Sequence, residues 1–179
     1  MQLSVCVSQT WNALPISPEE QVKISLARLP EGLEVKVATP FYADPAPPFP
    51  VGPSDGLWDY EVVEMFLVHG EQYTELELGP HGHYLLLRLE GIRQAFARAL
   101  PLTYHWKIKG KRWWGETLIP WEYLPPEPWT FNAYAIHGCG EQRRYLALFA
   151  VPGAEPDAEP DFHRLSYFQP LVWEPLQTG

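Results

Sequence analysis

The chain has 179 residues and a net charge of −9, with 22 acidic against 13 basic side chains. This length is typical of one domain that buries its own core, so we predict a single domain over residues 1–179. The negative charge argues against nucleic acid and anionic membrane surfaces as partners.

The N-terminal stretch MQLSVCVSQTWNALP lacks the basic start and long apolar run of an export signal. Elsewhere no apolar run reaches the length of a membrane span. The two cysteines, Cys6 and Cys139, do not make a disulfide framework. We therefore expect a cytoplasmic protein with reduced cysteines and no membrane partner.

Alternation of apolar and polar residues dominates the chain and predicts short strands joined by glycine- and proline-rich turns. The predicted strands are residues 21–29, 33–39, 61–68, 72–78, 84–89, 103–108, 112–119, 131–137 and 145–149. Residues 43–54, with five prolines, and the acidic residues 151–162 are predicted loops.

One helix is predicted over residues 92–100, because Ile92, Phe96 and Leu100 recur at intervals of four. Many short strands with one short helix indicate an all-β fold. We predict an antiparallel β-sandwich of the jelly-roll type.

Glu64 lies in the middle of the apolar strand EVVEMFLV, where an unpaired carboxylate is costly. On a strand it shares a face with Val62 and Phe66, so we expect it to be partly buried or to line a concave surface.

The two following strands carry further polar groups at alternate positions. If neighbouring strands pair in order, Glu64, Glu75 or Glu77, and Arg88 converge on one sheet face. Tyr73 and Tyr84 then lie beside them, which is the composition of a small-molecule site. The alternative is that Glu64 and Arg88 form a structural ion pair.

Two other pairs of side chains have a functional and a structural interpretation. Glu75 and Glu77 share a strand face. They could act as a pair of acid–base carboxylates, or they could belong to a solvated face. His81 and His83 are two residues apart, but no third metal ligand is near, so a turn with two solvent-facing imidazoles is the better interpretation.

The segments LWDYEVVEMFL, YTELELGPHGHYLLLRL, WWGETLIPWEYLP and WTFNAYAIH follow the order of motifs in carbohydrate-binding module family 9 and the DOMON-like superfamily. The whole chain, including PDFHRLSYFQPL, resembles more closely an uncharacterised protein family shared by bacteria and animals within that superfamily. This resemblance covers nearly all residues and implies a family 9-like β-sandwich.

In the family 9 modules a terminal, reducing-end sugar is held between two tryptophans, with a glutamate and an arginine on the sheet. The resemblance implies that Trp58 is the first tryptophan, Glu64 the glutamate and Arg88 the arginine. The second tryptophan has no match. In its place the C-terminal segment offers Phe162, His163, Tyr167, Phe168 and Trp173. The modules also bind structural calcium, for which no ligand set is assigned here.

The expected function is a stand-alone binding domain for a saccharide or similar small polyhydroxylated ligand, in a cleft on one sheet face. The predicted ligand-binding residues are Trp58, Glu64, Arg88, Tyr73, Glu77 and Trp114. One alternative is a small sugar- or glycoside-processing enzyme that uses paired carboxylates. The other is a structural or interaction domain without a small ligand. No catalytic motif or cofactor motif is recognised.

Overall fold

A computed structural model describes residues 1–153 and 160–174. Its strands, in chain order, are β1 (Gln2–Val7), β2 (Gln9–Thr10), β3 (Val22–Leu29), β4 (Gly32–Pro40), β5 (Gly52–Pro53), β6 (Val62–His69), β7 (Gln72–Leu78), β8 (His83–Glu90), β9 (Ala95–Ala97), β10 (Tyr104–Lys109), β11 (Arg112–Pro120), β12 (Thr130–His137), β13 (Arg144–Ala147) and β14 (Gln169–Pro170). Short 3₁₀ helices lie at Pro18–Glu20, Leu57–Asp59, Trp121–Tyr123, Gly140–Gln142 and Leu165–Tyr167.

The strands form two sheets. The first has the order β1-β3-β4-β11-β10. The second has the order β2-β13-β12-β6-β7-β8-β5, with β14 on β12 and β9 on β8. Neighbouring strands run antiparallel, apart from β5 and β8, which run parallel. The predicted all-β sandwich is confirmed, and each of the predicted strands is present to within two residues.

The predicted helix over residues 92–100 is wrong. This segment instead forms β9, which pairs with β8 at an irregular register. Arg93 and Ala99 have φ angles of 61° and 51°, in the left-handed region that a helix cannot contain. Ile92 and Phe96 are exposed, so the spacing of four that suggested a helix buries no apolar face.

The structure describes one of the two predicted loops in full and the other in part. The proline-rich residues 43–54 are irregular except for β5, whose residues Gly52 and Pro53 pair with β8. Of the predicted acidic loop 151–162, residues 154–159 lie outside the described residues. Across the described ranges, none of the helices has the length and apolar character needed to cross a bilayer.

Strand β6 is buried on both faces. Val63, Met65 and Leu67 belong to the core between the two sheets, together with Trp113 of β11. Phe66 belongs to a second apolar cluster on the opposite, outer face of the second sheet. Other members of this cluster are Tyr73, Leu85, Leu87, Tyr134 and Phe162. Loops cover this face, which explains why the sequence of β6 is apolar at nearly every position.

Gly32 marks a close approach of β4 to β11. A Cβ atom at this position would lie 2.2 Å from the carbonyl oxygen of Ile119. Because backbone cannot move aside as a flexible side chain does, Gly32→Ala is expected to lower the free energy of unfolding by about 2 kcal/mol. For a chain of this size the melting temperature then falls by about 4–8 °C. Thermal unfolding followed by circular dichroism measures this shift.

Lys36→Ala on the exposed side of the same strand is the control. Lys36 forms only surface ion pairs, with Glu34 and Glu116. Its replacement should change the free energy of unfolding by no more than about 0.5 kcal/mol. Equal melting temperatures for Gly32→Ala and Lys36→Ala would contradict the steric argument.

Candidate functional site

A cavity of about 480 Å³ opens on the outer face of the second sheet. Its floor is formed by side chains of β6, β7 and β8. Glu64, Glu75, Leu87 and Leu89 belong to this floor. The walls come from segments that are distant in sequence and include Trp58, Arg93, Arg98, Arg143, Tyr145, Phe162 and His163. We call this space the outer-face cavity.

Three carboxyl groups are buried side by side at the floor. Glu64 of β6 lies directly opposite Glu77 of β7, and Glu75 is the next residue of β7 on the same face. Glu64, Glu75 and Glu77 are only 3%, 5% and 0% exposed. Within the described ranges, Oε1 of Glu64, Oε2 of Glu75 and both carboxyl oxygens of Glu77 have no hydrogen-bond partner. Glu64 and Glu75 line the cavity, whereas Glu77 is buried beside Glu64.

This environment disfavours negative charge. Burial raises the pKa of Glu75 to about 7, although the Glu77 carboxyl beside it and, to a smaller extent, the nearby Arg93 and Arg98 act against the shift. Burial also raises the pKa of Glu64 well above its usual value; the charge of Glu75 adds to the shift and Arg143 opposes it. The pKa of Glu77 is raised well above its usual value by burial and by the charges of Glu64 and Glu75.

A hydrogen-bonded chain in the cavity wall ends near Glu75. The Tyr73 hydroxyl accepts a bond of 2.8 Å from the backbone N–H of Arg93 and lies 2.8 Å from Nδ1 of His163. Burial lowers the pKa of His163 to about 4, so its ring is neutral at pH 7. The Tyr73 proton is available for Nδ1, which assigns the ring proton to Nε2. That nitrogen lies 3.8 Å from Oε2 of Glu75.

Arg143 fixes the wall that carries Trp58. Its guanidinium donates hydrogen bonds to the carbonyl oxygens of Trp58, Asp59 (2.9 Å) and Gly138 (3.4 Å). It also donates to the Tyr145 hydroxyl at 3.1 Å. These bonds hold the 3₁₀ helix Leu57–Asp59 in place, and the indole of Trp58 remains 42% exposed beside the cavity.

A further part of the wall is aromatic. Phe162 stacks on Tyr134 with ring centroids 3.9 Å apart and an interplanar angle of 5°. Tyr134 of β12 is itself directly opposite Glu64 of β6. Of the aromatic side chains proposed in place of a second tryptophan, Phe162 and His163 line the cavity. Phe168 packs on Phe66, while Trp173 packs against the core between the sheets.

Four of the predicted site residues lie at or near the cavity. Trp58 and Glu64 line it. Tyr73 supports its wall through His163, and Glu77 is buried beside Glu64. Their role in binding a ligand stays a prediction.

The expected convergence of Arg88 and Tyr84 with Glu64 is wrong. In the pairing of β7 with β8, Glu77 lies opposite Leu85 and Glu75 opposite Leu87. Odd-numbered residues of β8 therefore point to the outer face, and Arg88 points to the other. Its guanidinium lies over the ring of Phe96, 5.1 Å from the centroid, so the proposed Glu64–Arg88 ion pair is absent as well.

Trp114 is also remote from the cavity. It follows Trp113 of β11, which is buried between the sheets, so Trp114 lies on the outer side of the first sheet. Because the cavity opens on the outer side of the second sheet, the whole sandwich separates Trp114 from it. Glu116 shares the face of Trp114 on β11.

Sequence reasoning did not find the basic residues of the wall. Arg143 lies in the connection before β13, and Arg93 and Arg98 lie in the segment predicted as a helix. None of the three carries a local signal, because loops that are far apart in the chain bring them together. Glu75 was recognised only as an alternative to Glu77.

The calcium implied by the resemblance stays a prediction, with no ligand set assigned to it. In residues 1–153 and 160–174, no group of three or more His, Cys, Asp or Glu side chains is placed to hold a metal ion. No metal is therefore assigned a part in this site.

Similar folds occur in two solved structures. A "putative carbohydrate-binding protein" from Bacteroides uniformis matches with a TM-score of 0.74 and 16% identity, over 96% of this chain and 86% of that chain. A carbohydrate-binding module of family 9 from Caldicellulosiruptor kristjanssonii, in complex with cellotriose, matches with a TM-score of 0.50 and 12% identity. That match covers 75% of this chain and 68% of the module. At these identities the likeness shows the fold.

Closer relatives are found by sequence, although no family model matches the chain. The UPF0462 protein C4orf33 homolog of Danio rerio is 44% identical over 95% of this chain and 89% of its own length. The UPF0462 protein C4orf33 of Homo sapiens is 40% identical over 95% of this chain and 88% of its own. At such identity and coverage, the chain belongs to the UPF0462 (C4orf33) family.

Proposed function

We propose that the protein binds a saccharide or similar small polyhydroxylated molecule in the outer-face cavity. One observation carries this proposal. Glu64 and Glu75 are buried and line a cavity of about 480 Å³, and each has an oxygen with no partner among the described residues. Buried polar groups are normally satisfied, so such oxygens mark places where a ligand donates hydrogen bonds.

The aromatic walls suit the same ligand class. Trp58 and Phe162 border the cavity, and aromatic faces pack well against the C–H groups of a sugar ring. Carboxyl oxygens on the floor then orient the hydroxyl groups. The fold likeness to the Bacteroides uniformis protein and to the family 9 module supports the proposal without identifying the sugar.

Trp58→Ala is expected to weaken binding at least about tenfold, equivalent to about 1.4 kcal/mol. The substitution removes the half-exposed ring beside the cavity and leaves the floor intact. Isothermal titration against a panel of mono- and disaccharides gives the affinity of the wild type and the variant.

Trp114→Ala is the matched control, because Trp114 is similarly exposed but lies on the far side of the sandwich. It should bind as the wild type does. Absence of heat with every sugar, or equal losses in the two variants, would contradict the proposal and leave a structural or interaction role.

Glycoside processing is the second candidate. It is favoured by two carboxyl groups that reach one cavity, one of them with a pKa raised to about 7. However, Glu64 and Glu75 rise from adjacent strands of the same floor, whereas acid–base hydrolysis of a glycoside requires carboxyl groups that flank the scissile bond. Release of nitrophenol from a panel of aryl glycosides, abolished by Glu75→Gln, would establish the enzyme; the geometry favours binding.

A further inference from the structure

We infer that the ligand carries a positively charged amino group and is an amino sugar. This inference rests on the proposed function, and it narrows the ligand from polyhydroxylated molecules in general to those that bring an ammonium to the floor of the outer-face cavity.

The first argument is the charge balance around the cavity. Asp59, Glu64 and Glu75 line it, and Glu77 is buried beside them. Two more acids, Asp55 and Asp161, are close enough to influence the charge of these floor carboxyls or of their neighbours. Three arginines stand among these six acidic side chains and His163 is neutral, so the floor carboxyls stay largely protonated until a further cation reaches them.

The second argument is that the arginines are engaged elsewhere. Arg93 pairs with Asp161 at 2.7 Å, and Arg98 pairs with Asp55 at 3.6 Å. Arg143 donates its hydrogen bonds to backbone carbonyls and to the Tyr145 hydroxyl. Within the described ranges, no lysine or arginine nitrogen lies within 4 Å of the carboxyl oxygens of Glu64, Glu75 or Glu77.

The third argument concerns what satisfies the floor. The hydroxyls of a neutral sugar can donate hydrogen bonds, but they bring no charge that would stabilise the ionised form of the floor carboxyls. An ammonium supplies three donors and a full charge, and hydrogen bonds between ionised groups are about twice as strong as neutral ones. Trp58 and Phe162 on the walls add aromatic faces that attract cations.

A metal ion is a poorer occupant. In the described part of the chain, no group of three or more His, Cys, Asp or Glu side chains, these carboxyls included, is placed to hold a metal ion. The aromatic walls and the size of the cavity suit an organic cation, and the sugar rings of the proposed function supply the rest of its volume.

The test compares ligands that differ only in the group carried at one ring position of each sugar unit. Cellobiose, N,N′-diacetylchitobiose and the corresponding glucosamine disaccharide share one linkage and carry a hydroxyl, an acetamido and an ammonium group at the same ring carbon. 6-Amino-6-deoxyglucose against glucose places the ammonium at another carbon. Isothermal titration with the full chain at about pH 7 is expected to show that the amino member of at least one set binds about tenfold tighter than its neutral partners.

Two variants locate the effect. Glu75→Gln is expected to reduce the ratio of amino-sugar to neutral-sugar affinity to about twofold or less, because the amide cannot carry the charge that pairs with the ammonium. Glu116→Gln, on the outer side of the first sheet, should keep the full preference. Titrations in two buffers of different ionisation enthalpy add a further readout: an ammonium stabilises the ionised form of Glu75, so its binding releases protons, whereas a neutral sugar releases none.

Four outcomes are distinct. Preference for the amino member that depends on Glu75 supports the inference. Equal or tighter binding of the neutral sugars overturns the inference and leaves the proposed function standing. Binding of hexylamine as tight as that of the amino sugar would show that no saccharide is required, which overturns both the inference and the proposed function. Absence of binding by every ligand, in a chain that is folded by circular dichroism, overturns both.

Discussion

Glu77→Gln is expected to raise the free energy of unfolding by about 2 kcal/mol at about pH 8 and to leave it nearly unchanged at about pH 5. Glu77 is fully buried, and within the described residues its carboxyl oxygens have no hydrogen-bond partner. Near pH 5 the folded protein holds this carboxyl in its neutral form, which glutamine resembles. Near pH 8 the wild type must either bury a charge beside Glu64 and Glu75 or keep a proton that the unfolded chain releases.

The sign of the pH dependence follows from the direction of the shifts. For Glu61, Glu64, Glu75 and Glu77 the folded pKa lies above the usual value of 4.5. Their contribution to stability is therefore full below about pH 4.5 and is lost as the pH rises through the folded values, which are about 7 for Glu61 and Glu75.

Buried histidines act in the opposite direction below pH 6.5. The pKa values of His81, His137 and His163 are lowered from 6.5 by burial, so these groups make the protein more stable as the pH rises towards 6.5. Above that value only the carboxyl contribution remains. We expect the melting temperature of the wild type to fall between about pH 6.5 and pH 8.

Melting curves recorded between about pH 5 and pH 8 test the fall in melting temperature of the wild type and the stabilisation by Glu77→Gln. The increase of about 2 kcal/mol for Glu77→Gln corresponds to about 4–8 °C at the alkaline end. Glu116→Gln, at an exposed position, should give a curve parallel to that of the wild type. If Glu77→Gln were also parallel, the buried carboxyl would not be the source of the pH dependence.

Arg143→Met is expected to lower the free energy of unfolding by about 2 kcal/mol and to weaken sugar binding at least about tenfold. The guanidinium holds the backbone of Trp58 and Asp59, and its charge partly offsets that of Glu64. A methionine fills a similar volume but donates no hydrogen bonds. We therefore expect the indole of Trp58 to shift and the floor carboxyls to lose a nearby positive charge.

Arg88→Met is the matched control for this prediction. Arg88 makes a cation–π contact with the exposed Phe96 on the other face of the sheet, which is worth no more than about 1 kcal/mol. Its replacement should leave the affinity unchanged. Thermal unfolding and titration calorimetry of both variants give the comparison, and a larger loss of affinity for Arg88→Met would contradict the placement of the site.

The strands were predictable because alternation is a local property. The apolar run of β6 correctly indicated a strand covered on both faces, with Glu64 either partly buried or at a concave surface. In contrast, the sequence does not predict which residues of β8 face the outer side of the sheet. The sequence of β8 is apolar on both faces, so the pattern does not show which face carries Arg88, and a shift of one residue moves every side chain to the other side.

The walls of the cavity were unpredictable for a different reason. Trp58, Arg143 and Phe162 come from three connections that meet only in the folded chain. Their positions depend on long-range contacts, such as the hydrogen bonds of Arg143 to the backbone at Trp58 and the stacking of Phe162 on Tyr134. Trp58 was recognised only through its motif.

Strand β6 separates two kinds of evolutionary constraint. Val63, Met65 and Leu67 face the core that the two sheets share, while Glu64 and Phe66 face the outer side. Substitutions in the first set change how well the sandwich folds, whereas a substitution at Glu64 changes the chemistry of the outer-face cavity. Under the proposed function, ligand preference can therefore diverge through one face of three strands and the connecting loops, with the shared core left as it is.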